Sequence, residues 1–167
     1  TQDRVDLLIP IVKAWFTDLG NEVASTGVQI HGGMGFIEET GAAQHFRDAR
    51  ITPIYEGTTA IQSNALVGRS VLREAGLGVR ELFAEIGATV AKAGDVAELA
   101  GIAGALGEAL AVARAALDWL GEAAKEDPRL PFAASVPFLH VMGLLSGGWM
   151  LTRGAVAAAG GAGPDAE

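Results

Sequence analysis

In the stretch PIYEGTTAIQ, residues 53–62, a carboxylate, Glu56, stands between an aromatic ring, Tyr55, and a Gly-Thr pair, Gly57 and Thr58. A carboxylate shielded from water by Ile54 and Tyr55 holds its proton more tightly and so suits a general base working near neutral pH. Gly57 would let a ligand approach the backbone closely, and Thr58 would cap a following helix while offering a hydroxyl. An exposed loop glutamate is the ordinary alternative, and this stretch alone leaves both open.

A second candidate is GVQIHGGMGF, residues 27–36. Its glycines are what a helix C-terminus uses to turn the chain. They would also let the backbone amides of Gly32 and Gly33 reach a phosphate, with Gln29 adding a side-chain hydrogen bond. It is not a Rossmann or Walker loop, because no strand precedes it and the spacing differs. The histidines, His31, His45 and His140, share no metal-ligand spacing, so no metal site is expected.

These segments need elements to hold them, and the elements read as helices. Ala, Leu, Glu and Arg dominate and few runs alternate with period two, which predicts an all-α helical bundle. From Gln2 to about Ile30, apolar residues Val5, Leu8, Ile9, Val12, Phe16, Leu19 and Val23 recur at helical steps, with Pro10 marking either a kink or the true start. A short helix is expected over Gly41–Ala49, then an extended link through Ile51–Ile54, because the residue before a proline leaves the α region. Further helices are expected from Thr58 to about Glu74 and from Val79 to Ala93. The longest should begin at Asp95 as N-cap and run to Glu126, with the stripe Leu99, Ile102, Leu106, Leu110, Ala113, Leu117 and Leu120 recurring about every 3.5 residues, the period of a bundle seam. Leu130–Thr152 is uncharged and long enough to span a bilayer, but its prolines, glycines and polar residues favour a buried bundle helix capped by Ser135. The expected division is 1–75, a motif-bearing helical domain; 76–160, an Ala/Leu-rich helical extension; and 161–167, a frayed tail.

Taken together, residues 27–62 resemble the C-terminal signature of the acyl-CoA dehydrogenases, flavoenzymes that desaturate acyl-CoA thioesters between Cα and Cβ. Gln29, Gly32, Gly33, Gly35, Phe36, Glu39 and Asp48 fill the pattern. Gln44 stands where a basic residue is usual, and Ala60 where a polar one is common. The resemblance covers about Val5 to Leu72. Leu77–Ala159 is similar to the helical extension of the bacterial subgroup that includes 3-methylmercaptopropionyl-CoA dehydrogenases, chiefly at GLLSGGWML.

The resemblance implies that Glu56 is the catalytic base, Gly57 lines the substrate, and Thr58 contacts the flavin of FAD. Gln29, Gly32 and Gly33 fall where the family holds the ADP part of FAD, typically that of a neighbouring subunit. It also implies a homo-oligomer, dimer or tetramer, with an electron-transfer flavoprotein as electron acceptor. Family members carry helical and β-domains ahead of this region, so the chain alone is expected neither to retain FAD nor to turn over substrate. Its first helix should find its cover in another copy or in the second-half helices.

The bulk composition is compatible with this. The chain has 167 residues, half of them apolar, and a formal net charge of -8. Spread acidity opposes nucleic-acid binding. The opening at Thr1 with no Met leads to the expectation of an excised or truncated chain, in which a missing targeting segment says little about the parent, and the absence of cysteine fits a reducing compartment, so a cytoplasmic location is expected. A non-catalytic helical assembly module is the rival reading, with the glycines as turns and Glu56 solvated.

Overall fold

The three- and four-residue recurrence of the first thirty positions folds as one helix, α1 (Gln2–His31), which runs through Pro10 instead of starting there. In the computed structural model, residues 2–160 are described; the tail expected to fray, 161–167, lies outside them. Leu7, Pro10, Ile11 and Ala14 form the buried side of α1. The stripe singled out by spacing lies beside it. Val5, Ile9, Val12, Phe16, Leu19 and Val23 remain between 38% and 62% exposed, and only Leu8 joins the core from its edge. Two apolar stripes thus satisfy the same helical period, and the neighbouring helices cover one of them.

After α1 come a short turn of helix, α2 (Gly33–Phe36), and α3 (Ala42–Arg50), with a 3-10 turn over Glu38–Thr40 between them. The link expected to be extended at Ile51–Ile54 is a tight turn: the amides of Ile54 and Tyr55 both donate to the Ile51 carbonyl, at 2.9 and 3.2 Å. The proline restricts only its own neighbour, and the α3 terminus is free to curl past it.

The helix expected over Thr58–Glu74 begins as α4 (Thr59–Ala65) and widens into a π-helix over Leu66–Arg73, where the Glu74 amide reaches back to the Arg69 carbonyl. Ala75 and Gly76, both at positive φ, turn the chain into α5 (Leu77–Gly94). Asp95 does not cap the next helix. It closes α5 by donating its amide to Ala91, and a 3-10 turn over Ala97–Leu99 leads into α6 (Ala100–Glu126). Along α6, Leu106, Leu110, Ala113, Leu117 and Leu120 are buried as expected, but Ala103 takes the place of Ile102, which is exposed.

Ser135 is not a cap either. A single turn, α7 (Leu130–Ala133), precedes α8 (Ser135–Ala159), and Ser135 is the buried first residue of α8. Among the described residues it is Ala97–Glu126, not Leu130–Thr152, that is long and apolar enough by length and composition to cross a membrane. Its buried stripe here packs on α5 and α8.

Among the described residues every regular element is helical. The tight turn between α5 and α6 makes them a hairpin, with α8 against both and α1 laid across α8, α4 and α3. One core joins Leu7 and Ile11 of α1, Leu66 and Val67, Leu82, Phe83 and Ile86 of α5, Leu120 of α6, and Leu139, Met142 and Leu145 of α8. Each such side chain contributes about 1.5–3 kcal/mol on burial. The expectation that second-half helices cover α1 is therefore met on one of its sides.

Candidate active site

The loop between α3 and α4, residues 51–58, is held by polar side chains of α1. Lys13 Nζ donates to the Thr52 carbonyl at 2.7 Å and the Gly57 carbonyl at 3.2 Å, so one ammonium ties the two ends of the loop together. The same ammonium lies 5.2 Å from the centre of the Tyr55 ring, a cation–π contact. Farther along α1, Asp18 accepts from the Thr59 hydroxyl at 3.1 and 3.0 Å, fixing the first residue of α4. Asn21 donates to the Ala49 carbonyl at 3.0 Å and so holds the end of α3.

At the top of this loop, Glu56 has φ of 54°, a left-handed conformation that costs a non-glycine residue about 1–3 kcal/mol. Gln62 of α4 stabilises it by donating to the Glu56 carbonyl at 3.0 Å. Gly57 follows at φ 100°, and a Cβ there would stand 2.9 Å from Gln62 Nε2. Glycine is favoured at 57 by its conformation, whereas the Gln62 amide, at the end of a flexible side chain, could yield to a Cβ.

The surroundings correct one expectation. Ile54 and Tyr55 do not enclose the acid, because they are themselves 49% and 50% exposed, and Glu56 is exposed too. Any desolvation of this carboxylate has to come from a ligand or from protein outside the described residues. Thr58 sits at the N-cap position of α4, but its hydroxyl makes no capping bond; the residue lines an open groove of about 640 Å³ with Asp18, Asn21, Phe46, Arg50 and Ile54.

The glycine turn is built differently. Gln29 is exposed in the last turn of α1, and its carbonyl accepts the Gly32 amide at 3.1 Å, so the Gly32 amide expected to reach a phosphate is spent within the turn. Gly32 has φ of 61°, and a Cβ at Gly32 or Gly33 would meet nothing within 4 Å. Gly35 is the sterically demanding one, since a Cβ there would stand 2.2 Å from the Val28 carbonyl oxygen. Ile30, Met34 and Phe36 around the turn are exposed apolar residues. Gln29 lies roughly 24 Å along the α1 axis from Lys13, so a single chain does not bring the glycine turn to Glu56. His31 spends Nδ1 on the Gly27 carbonyl at 2.8 Å, and among the described residues no three His, Asp or Glu side chains gather as a metal site.

Lys13, Asp18 and Gln62 are the residues that reading by motif passed over. Lys13 carried a signal, being the sole lysine or arginine between Arg4 and Arg47. A lone lysine on an otherwise apolar and acidic helix stretch marks a fixed partner nearby.

Comparison with known proteins decides the relationship. The pattern described as "Acyl-CoA dehydrogenase, C-terminal domain" matches residues 1–72, and that described as "Acetyl-CoA dehydrogenase C-terminal like" matches residues 82–167. The chain belongs to the acyl-CoA dehydrogenase family. It is 52% identical over 160 residues to the 3-methylmercaptopropionyl-CoA dehydrogenase of Ruegeria pomeroyi, covering 94% of this chain and 27% of that protein. A broad-specificity linear acyl-CoA dehydrogenase of Mycobacterium tuberculosis is 33% identical over 160 residues, 92% of this chain and 26% of its own length. CarC, a subunit of the caffeyl-CoA reductase–Etf complex of Acetobacterium woodii, is 38% identical over 58 residues, 35% of this chain and 15% of its own. The chain thus spans about a quarter of the length of the relatives that it matches along nearly its whole extent. Within this acyl-CoA dehydrogenase region the Lys13-bound loop and the glycine turn are separate segments, each with exposed residues, Glu56 in the loop and Met34 and Phe36 in the turn.

Proposed function

We propose that this chain is the C-terminal part of a flavin-dependent acyl-CoA dehydrogenase that desaturates an acyl-CoA thioester between Cα and Cβ, with Glu56 as the base. The observation that carries the proposal is the strained backbone at Glu56, φ 54°, held by Lys13 and Gln62 at the loop-to-helix junction. A carboxylate kept at an energetic cost on an exposed loop, when the bundle has no structural need for it there, is what a reaction site requires.

In this reading a Glu56 oxygen takes the α-proton of the thioester. The electrons of that C–H bond become the new Cα=Cβ bond as the β-hydrogen departs with its own pair. FAD, when bound, accepts that hydride and is thereby the oxidant. Gly57, bare of side chain, leaves room for the substrate beside the carboxylate. Thr58, whose hydroxyl is not used for capping, offers it to the flavin. Gln29, Gly32 and Gly33 would hold the ADP part of FAD belonging to a neighbouring subunit of a dimer or tetramer. Their fit rests on the open space beside Gly32 and Gly33 and an exposed amide side chain at Gln29, the Gly32 amide itself being given to the Gln29 carbonyl. The roughly 24 Å between the two sites along α1 makes two different FAD-binding regions natural.

The substrate in this reading is 3-methylmercaptopropionyl-CoA or a related acyl-CoA, after the name of the Ruegeria relative, and the electron acceptor an electron-transfer flavoprotein, a reading supported by the naming of CarC as a subunit of an Etf complex. In this reading the protein is cytoplasmic and has no membrane span, the apolar α6 packing on α5 and α8, and its net charge of -8 opposes a nucleic-acid partner. The 167-residue chain by itself neither retains FAD nor turns over substrate, because Glu56 is exposed and the chain spans 27% of the Ruegeria relative.

The test uses the full-length parent. Its flavin absorption is recorded, and acyl-CoA thioesters are added without oxygen to native protein and to Glu56→Gln. Bleaching is expected in the native protein and slowed by about 10²–10⁴-fold in the variant. A parent that takes up no flavin when FAD is supplied would instead leave a helical assembly module as the function.

A further inference from the structure

Polar contacts between α8 and α4 are left without a role by the reaction above. Ser63 of α4 is fully buried, and Ser135 at the start of α8 is 2% exposed. Their hydroxyl oxygens lie 3.0 Å apart, and Ser135 donates to Asn64 Oδ1 at 3.0 Å. A serine hydroxyl has one proton to give. Ser63 also has the Ala60 carbonyl at 3.0 Å, so two hydroxyl protons serve three contacts, and either serine can donate across the α4–α8 link.

A second contact lies at the beginning of α4. Asp18, which accepts from Thr59, has His140 of α8 at 3.9 Å from its Oδ2. The position of α8 itself is not adjustable. Trp15 of α1 fills a notch in α8 where a Cβ on Gly143 would stand 2.3 Å from the indole Cγ and one on Gly147 would stand 3.1 Å from its Cη2. Sliding or turning α8 by one residue would bring a larger side chain against the ring.

Glu56 is coupled to α4 through the Gln62 amide on its own carbonyl. A rotation of α4 about its axis would thus move the backbone of the acid. We propose that Ser135 is a positioning residue for Glu56, through which the C-terminal half of the chain sets the rotation of α4 and so the aim of the carboxylate. This role rests on the reading of Glu56 as the base.

The experiment compares Ser135→Ala, Asn64→Ala, the double variant and Ser135→Thr. In the 167-residue chain, amide hydrogen exchange in Ser135→Ala is expected to quicken over residues 58–65, with α5 and α6 unchanged. In the full-length parent, flavin reduction at saturating acyl-CoA should slow roughly tenfold to a hundredfold, with KM and FAD content unaltered. Ser135→Thr, which keeps the hydroxyl, should recover most of the rate, and the double variant should be no slower than Ser135→Ala because both remove one chain of bonds. A native rate in Ser135→Ala, or exchange that quickens equally in every helix, would overturn the positioning role alone. A native parent that does not desaturate would overturn the role of Glu56 and this one with it.

Discussion

The turn after α1 and the loop before α4 both interrupt helices with glycine at positive φ, at Gly32 and at Gly57. In the turn, Gly32 and Gly33 meet nothing, and what holds the chain is the close approach of Gly35 to Val28. In the loop, the backbone is tied by Lys13 and Gln62, and the strained residue is a charged one. The turn presents main chain and the loop presents a side chain. Main-chain groups are positioned by local sterics, whereas a lone carboxylate on a short loop needs ties from distant parts of the chain to stay in place.

If that contrast is right, removing the ammonium should disturb the loop and spare the turn. Lys13→Met in the full-length parent is expected to slow flavin reduction by acyl-CoA roughly a hundredfold, the cost of a small misplacement of a catalytic group, with FAD content unchanged. An unchanged rate would mean that the loop supports itself. Next in size is the steric tie of the turn. Gly35→Ala forces a Cβ against the Val28 carbonyl, which as backbone has little room to yield, and is expected to cost about 1–3 kcal/mol in urea unfolding of the 167-residue chain.

A smaller effect separates the two kinds of glycine within the turn. Gly33→Ala adds a Cβ in open space, so its stability should stay within about 0.5 kcal/mol of native, while the parent's FAD content falls. Full retention of FAD would remove Gly33 from the cofactor site. The smallest effect is expected where a charged tie lies at the surface, at the break between α6 and α7. Side-chain and backbone hydrogen bonds from Arg129 hold the Asp127 carboxyl below its usual value. A carboxyl lowered in the fold stabilises it above the ordinary carboxylate range and loses that contribution as pH falls through the lowered value. Because this pair is screened by water and salt, Asp127→Asn should leave neutral-pH melting nearly unchanged and flatten slightly its decline in acid. A large loss on melting would show that a surface clamp can matter as much as the Lys13 one.

Much of the site was legible as residue types and much less as geometry. Glu56 could be placed at a loop-to-helix junction because proline, glycine and threonine are local signals read within a few positions. Lys13 could not be tied to it, because its acceptors lie 39 and 44 residues away and no local rule connects them. Ser135 was legible as a polar residue at a helix start, yet its hydroxyl serves a helix 72 residues earlier instead of its own amides. Asp95 failed as a cap for a simpler reason: α5 continued far enough to use it as a terminus.

By itself the sequence determined that the chain is helical, that glycines such as Gly32, Gly57 and Gly76 break it, and that the residues of a family signature stand in order. Those properties follow from backbone sterics and side-chain periodicity over a few residues, so neighbours along the chain suffice to express them. Only the tertiary structure decided which apolar stripe of α1 is buried, since Leu7–Ile11–Ala14 and Ile9–Val12–Phe16 satisfy the same period and the packing of α8, α4 and α5 covers the first. It also decided that Glu56 is strained, tied and exposed. Ties and exposure are set by groups distant in sequence, and they exist only once the helices have packed.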